Sequence, residues 1–251
     1  MRNSVQTVDR ALQLLLTFDS EGQELGVTEL AARVGVHKST ASRLAATLAA
    51  RGFLERAPGS EAFRLGLELS RLGLLAGAGR DLVELALPAM ERLAEETGET
   101  VNLAVLDGDE AVNVAQVEGR HIIGVGAWTG RRTELHCTAN GKVLLAFSDR
   151  EPPGSPLQRY TGQTITSLRE LRRQLELARR RGWASAVDEL EMGLHAVAAP
   201  VLDGLGRCRA ALSVSGPSYR LPVERLPEIA VACTAAAGAI GGLLGGSARA
   251  T

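Results

Sequence analysis

Apolar positions recur at helical spacing three times within the first fifty residues. Val8, Leu12, Leu15 and Leu16 mark a first helix, with Thr7 as its N-cap. A polar stretch from Asp19 to Gly26 separates it from a second, short helix that opens at Thr28-Glu29-Leu30-Ala31 and is capped by Thr28 or its neighbour. Gly35 ends that helix, because a glycine takes the left-handed backbone that closes a helix without strain. A third helix runs from about Lys38 to Ala50 and stops at Gly52. The period then falls to two. Phe53–Arg56 and Ala62–Leu65 read as short strands around the turn Ala57-Pro58-Gly59-Ser60.

Beyond residue 66 the texture changes. Leu67, Leu69, Leu72, Leu74 and Leu75 suggest a connecting helix to about Gly77, and Asp81–Thr97 suggests a long one, bent or restarted at Pro88. Strand-like runs follow at Thr100–Leu106, Ala111–Val117 and His121–Val125, the first two joined by the hairpin signal Asp107-Gly108. Helices are expected over Ala139–Phe147 and Ser167–Arg181, strands over Trp183–Val187, Leu194–Val201 and Arg209–Ser215, and a C-terminal helix from about Pro227. These elements predict an α+β protein in two parts, a helix–helix–helix–hairpin domain over 1–66 and an α/β domain over 81–251, joined by a linker helix over 67–80.

Composition narrows the field. In 251 residues, 45% hydrophobic and 23% charged, the chain matches an ordinary globular protein. A net charge of −1 excludes a uniformly basic nucleic-acid coat, and 3% aromatics leave few stacking platforms for single strands. Local charge is uneven. Thr28–Arg56 holds five basic residues (Arg33, Lys38, Arg43, Arg51, Arg56) against Glu29 and Glu55. Cys137, Cys208 and Cys233 stand too far apart for a redox or metal motif, and their odd number argues against a disulfide framework. The N-terminus lacks a signal-peptide core. The apolar stretch Ile229–Gly246 is shorter than the ~20 residues of a membrane span and reads as a buried helix, so a cytoplasmic chain with no membrane partner is expected.

The segment Val27–Leu44, V-T-E-L-A-A-R-V-G-V-H-K-S-T-A-S-R-L, is a helix-turn-helix pattern. Leu30, Val34, Val36 and Leu44 would face the core, and Ala31 is small where the helices meet. Lys38, Ser39, Thr40, Ser42 and Arg43 would present short polar and cationic groups to base edges and phosphates in a major groove. Thr28 would contribute from the preceding helix, and Arg56 and Arg64 from the hairpin as a wing. His37 reads as a cap or solvated residue. A plain helical hairpin with solvated charges fits the same window, and the trailing hairpin favours the winged DNA-binding form.

Two features suggest a small-molecule site. One is His136-Cys137-Thr138-Ala139-Asn140-Gly141-Lys142, where free N–H groups at a helix start would receive an anion; an ordinary N-cap at Thr138 explains the same residues. The other is A-L-S-V-S-G-P over 211–217, where Ser213 and Ser215 share one strand face, either towards a ligand or towards solvent at a sheet edge. Catalytic readings are weaker. Cys137 and His136, adjacent in a strand, would point to opposite faces, and His195 has no fixed relation to either. Asp188, Glu189 and Glu191 could do acid–base work but read as a solvated loop. His121, His136 and His195 lack metal-ligand spacing. No catalytic residue, metal or cofactor is assigned, and the chain is not expected to be an enzyme.

The segments V-Q-T-V-D-R-A-L-Q-L-L, T-E-L-A-A-R-V-G-V-H-K-S-T-A-S-R-L, G-F-L-E-R, F-R-L-G-L, L-A-E-E-T-G-E-T-V-N-L-A-V-L-D-G-D-E, L-H-C-T-A-N-G-K-V-L-L-A-F, G-L-H-A-V-A-A-P-V and S-V-S-G-P occur in that order. With them, the chain resembles the IclR family of bacterial transcriptional regulators over essentially its whole length. The resemblance implies a winged helix-turn-helix, a linker helix and a GAF-like effector-binding domain. It implies a repressor that is a dimer or a dimer of dimers on double-stranded operator DNA, responsive to a small organic acid or aromatic effector. By position, the effector site would comprise Thr138, Ala139, Asn140, Gly141, Asp188, the His195-Ala196 strand, Ser213 and Ser215. The chain departs from the family pattern at Ala186, the usual place of an aspartate, at Ala196, where a cysteine is common, and at Met192 for a frequent proline. Losing a carboxylate and a thiol implies a less polar pocket. Two other classes remain: a GAF-like sensor or enzyme, and a protein-interaction module without DNA binding.

Overall fold

A computed structural model describes residues 5–18, 23–76, 80–121, 126–154 and 156–246. The chain divides into two compact units, Met1–Ala78 and Gly79–Thr251. The first holds α1 (Gln6–Leu15), α2 (Val27–Val34), α3 (Lys38–Ala50), the hairpin β1 (Leu54–Arg56) and β2 (Phe63–Leu65), and α4 (Leu67–Ala76). Its core is Leu14, Leu25, Leu30, Leu44, Ala45, Leu54 and Phe63. Leu25 exchanges both backbone hydrogen bonds with Phe63, at 2.9 Å each, which fastens the hairpin to the segment before α2.

Gly35 adopts φ +69° at the end of α2, the left-handed value a non-glycine residue would take with strain. The capping expectations at the first two helices fail. Val5 and Gly26 are the N-caps, neither with a side-chain cap, and Thr7 and Thr28 lie inside the first turn. α3 instead carries its cap on His37, whose Nδ1 accepts from the Ser39 N–H at 3.3 Å.

The second unit is built on a six-stranded antiparallel sheet in the order β5-β4-β3-β8-β7-β6. Its strands are β3 (Thr100–Asp107), β4 (Glu110–Val117), β5 (Arg132–Glu134), β6 (Ala184–Val187), β7 (Leu194–Leu202) and β8 (Cys208–Pro217). The helices α5 (Arg80–Thr97) and α8 (Leu226–Gly246) cover one face, with Leu93, Val101, Leu103, Val197, Leu212, Val214, Cys233 and Ile240 between the layers. The helices α6 (Ala139–Ala146) and α7 (Leu168–Arg181) cover the other, over Ala104, Ala111, Leu144, Leu171, Ala198 and Ala211. α5 runs through Pro88 as one helix rather than restarting there. α8 with the turn before it is apolar and long enough to cross a membrane, yet Ile229, Ala230, Cys233, Ala237 and Ile240 are buried in the core.

Two further expectations change. The expected strand His121–Val125 falls largely outside the described residues, and β5, which the alternation did not reveal, pairs with β4. β8 lies between β3 and β7, so Ser213 and Ser215 sit at the centre of the sheet, not on a solvated edge. In the β3–β4 pair the register shifts, with Leu103 opposite Ala115 and Ala104 opposite Asn113. The extra residue, Val114, lets Asn113 and Ala111 face α6 while Ala115 faces α5 and α8.

Candidate functional site

The exposed face of α3 carries Lys38, Ser39, Ser42, Arg43, Ala46 and Thr47, opposite the buried Ala41, Leu44 and Ala45. Thr40 is only partly exposed. Among the described residues, neither Lys38 nor Arg43 has an acidic partner within ion-pair distance. Three other cations of the domain are paired: Arg33 with Glu29, Arg56 with Glu61 and Arg64 with Glu55. Arg56 also lies over the Phe63 ring, 4.9 Å from its centre. These pairs are exposed and worth about 0–1 kcal/mol, so the wing arginines can exchange a carboxylate for a phosphate. Arg51, not singled out from sequence as a contact, is a further exposed cation without an acidic partner among the described residues, at the end of α3.

In the second unit a cavity of about 60 Å³ lies between the sheet and the start of α6. That is room for a few waters or a compact organic molecule. Thr138 caps α6 by accepting from the Gly141 N–H at 3.0 Å and donates its own proton to the Glu134 carbonyl at 2.9 Å. The first two N–H groups of the helix, on Ala139 and Asn140, have no partner within it. They sit at the positive end of its dipole. Gly141 is required by space: a Cβ there would lie 2.4 Å from the Leu135 Cα and 2.6 Å from its carbonyl oxygen.

The cavity brings together Thr138, Ala139, Asn140, Ala196, Ser213 and Ser215, as the sequence suggested. It adds Asn102, Asn113, Trp128, Thr133, Leu190 and Leu194, which sequence reasoning missed. Asparagine is depleted in strands, so Asn102 and Asn113 inside the apolar runs of β3 and β4 were a usable signal. Ala186 and Ala196 face each other across β6 and β7, both on the cavity wall, which leaves that wall apolar.

Among the described residues, the lining holds no aspartate, glutamate, lysine, arginine or histidine. Its hydrogen-bonding groups are neutral, and two are unmet. Asn102 Nδ2 donates to Ser215 Oγ at 3.2 Å while Asn102 Oδ1 and Asn140 Oδ1 are buried with no partner. A buried amide oxygen left unpaired costs about 1–3 kcal/mol, which a donor on a ligand would recover.

Asp188 does not line the cavity, contrary to expectation. It takes a positive φ of 56°, and its Oδ1 accepts from the Gly193 N–H at 2.6 Å, so it shapes the β6–β7 loop. His195 faces the opposite side of the sheet from Ala196, with Nδ1 2.8 Å from the Leu221 carbonyl. Glu189, expected in a solvated loop, is buried, with Oε1 on the Lys142 ammonium. Cys137 and His136 are both buried. Burial pushes the thiol up to about 12, and His136 Nε2 meets the Gln158 carbonyl at 2.8 Å.

A helix-turn-helix start with free cations and a separate polar cavity at a helix N-terminus are two binding surfaces in one chain. The family described as "IclR helix-turn-helix domain" matches residues 7–58, and "Bacterial transcriptional regulator IclR C-terminal" matches residues 76–241. The chain belongs to the IclR family of bacterial transcriptional regulators. It is 37% identical to the HTH-type transcriptional regulator KdgR of Dickeya chrysanthemi, over 93% of this chain and 78% of that one. It is 31% identical to the transcriptional repressor IclR of Escherichia coli, over 89% of this chain and 84% of that one. The crystal structure of an IclR homologue from Microbacterium hydrocarbonoxydans complexed with 4-hydroxybenzoate superposes with a TM-score of 0.76 at 28% identity, covering 92% of this chain and 98% of that one. As an IclR-family regulator, the chain pairs a DNA-binding helix-turn-helix domain with an effector-binding domain.

Proposed function

We propose that this regulator is a cytoplasmic repressor. Residues 1–66 bind double-stranded operator DNA, 67–80 are the linker, with α4 in its first part, and 81–251 bind the effector. Lys38, Ser39, Thr40, Ser42 and Arg43 make the DNA contacts, with Thr28 and Arg56 at the flanking backbone. Arg43 reads a base and Lys38 holds a phosphate. Repression is favoured by the likeness to a relative named as a repressor.

The effector is a small carboxylate that also carries a hydroxyl. The observation behind this is the cavity at α6: the N–H groups of Ala139 and Asn140, which have no partner within the helix, for the anion, and unpaired amide oxygens of Asn102 and Asn140 for a hydroxyl donor. The bound 4-hydroxybenzoate of the similar structure has both groups. The effector acts by preferring one spacing of the two wings in an oligomer, and its leverage equals its difference in affinity for the two arrangements.

The chain works as a homodimer or a dimer of dimers. Val5, Val8, Leu12 and Leu16 form an exposed apolar stripe on and beside α1, spaced three and four residues apart, that a second copy of the helix would cover.

The test is fluorescence anisotropy of the full chain on the DNA upstream of its own gene, with excess random DNA and a salt series, then with 4-hydroxybenzoate and aliphatic hydroxy acids. Tight binding that survives competitor and is changed by one of these acids is expected. Equal affinity for random DNA, or indifference to every acid, would overturn the corresponding half of the proposal.

A further inference from the structure

The exposed face of α3 is not uniformly polar. Counting 100° per residue, Ser39, Arg43, Ala46 and Ala50 fall on one line along the helix, with Ser42 and Thr47 beside it. All six are exposed. The line lies opposite the buried Ala41, Leu44, Ala45 side, so it is the part of the helix that would lie deepest in a groove. Its N-terminal half is polar and cationic. Its C-terminal half is methyl.

Thr47 strengthens that division. Its Oγ1 donates to the Arg43 carbonyl at 2.8 Å, one turn back. The hydroxyl proton is thereby spent on the helix's own backbone, which leaves Thr47 no donor, only an acceptor oxygen and a methyl. Ala46 has nothing but a methyl. Two apolar groups thus stand side by side one turn beyond Arg43, on a face otherwise suited to hydrogen bonding.

In the major groove the thymine C5-methyl is the apolar landmark, and alanine or a threonine methyl is the complementary group. The geometry points to Ala46 and Thr47 as specificity-determining residues that read a thymine methyl next to the base read by Arg43. The rise from Arg43 to Ala46 is about 4.5 Å along the helix, and one base pair is about 3.4 Å, so the thymine lies about one or two base pairs from that base. This inference rests on α3 entering the groove, and it adds which base the second half of the helix selects.

Deoxyuridine tests it, because it differs from thymidine by that methyl alone. Duplexes are selected from a randomised pool with the full chain, and each thymine of the best duplex is replaced in turn by deoxyuridine. One replacement, one or two base pairs from the site most sensitive to Arg43→Ala, is expected to weaken binding about three- to fivefold, the value of one buried methyl. Thr47→Ser keeps the hydroxyl and removes only the methyl. Ala46→Ser puts a hydroxyl on the apolar spot. Both variants are expected to bind the uridine and thymine duplexes more nearly alike, with circular dichroism unchanged. Retained binding with no sensitivity to uridine at any position overturns the inference while leaving DNA binding intact. The same uridine penalty in both variants also overturns it. Failure to enrich any duplex overturns the DNA-binding reading itself.

Discussion

The Lys142 ammonium lies 2.5 Å from Glu189 Oε1, with the two side chains only 1% and 8% exposed. Lys142 also donates to Gln174 Oε1 at 2.9 Å and to the Ser185 carbonyl at 3.0 Å. One side chain therefore ties α6 to α7, to β6 and to the loop that follows β6. The hydroxyls of Thr161 and Thr164 hold that loop from the other side by donating to the carbonyls of Asp188 and Glu189. Leu190 and Leu194, which border the cavity at the start of α6, are placed by this arrangement.

Lys142→Met should destabilise the effector domain by about 3–5 kcal/mol, because it leaves a buried carboxylate uncompensated. Lys142→Met with Glu189→Leu should recover most of that loss, as a well-packed apolar pair often replaces a buried ion pair. Burial raises the Glu189 carboxyl above its ordinary range. A group raised in this way costs stability above its folded-state pKa and nothing below its unfolded one. The deficit of Lys142→Met should therefore shrink as pH falls from 7 towards the ordinary carboxylate range. Urea melts at several pH values check this; an undiminished deficit at low pH would count against an exposed cost of charge.

Gly141→Ala should lower stability by about 1–3 kcal/mol, since the methyl would need the space of the Leu135 backbone. Because Gly141 lets the start of α6 lie against the Leu135 backbone, effector affinity should fall as well, by more than the loss of stability alone explains. Thermal melts and ligand titrations on the same preparation separate the two effects.

Asn140→Ala should weaken binding of a hydroxylated carboxylate about three- to tenfold, the range for one net hydrogen bond, and leave DNA affinity without ligand unchanged. The readout is the fluorescence of Trp128, which lines the cavity. Ser213→Ala should do the same to a smaller degree. A cavity that binds such acids equally well in both variants would place the ligand elsewhere.

Local patterns were legible where the physics is local. The bounds Lys38–Ala50 for α3, the turn at Gly35, the wing and the Thr138 cap all follow from periodicity and backbone chemistry within a few residues. The missed features depend on partners far along the chain. β5 is three residues long and has no apolar run; its pairing with β4 defines it. Asn113 faces the cavity because the register shifts beside it. Glu189 looked solvated among its acidic neighbours until Lys142, 47 residues earlier, met it in the core. His195 and Ala196 were both expected at the site, but strand alternation allows only one of two neighbours to face it.

Leu12→Glu should break the oligomer. Leu12 is 54% exposed within the stripe Val5, Val8, Leu12 and Leu16, so the charge disturbs no packing inside the chain. Sedimentation should shift towards the monomer, circular dichroism should stay unchanged, and affinity for a two-half-site duplex should fall far more than for a single half-site. A variant that sediments like the parent would remove this stripe from the interface.

Lys38 and Arg43 should fail differently when removed. Both are exposed cations on α3 without an acidic partner among the described residues, so neither substitution leaves a buried charge behind. Arg43 sits on the central line of the exposed face, where, on the proposed docking, a guanidinium would reach guanine O6 and N7 in a bidentate pair worth about 1–3 kcal/mol of discrimination. Arg43→Ala should therefore weaken the operator more than random DNA and relax the preference at one base pair. Lys38 is the first residue of the helix, beside the His37 cap, where, on the proposed docking, a flexible ammonium would meet the phosphate backbone as a point charge. Lys38→Ala should weaken operator and random DNA alike and reduce the slope of log K against log salt by about 1. Anisotropy titrations of both variants on both duplexes across a salt series decide it; an equal loss on both DNAs for both variants would sink this division of roles.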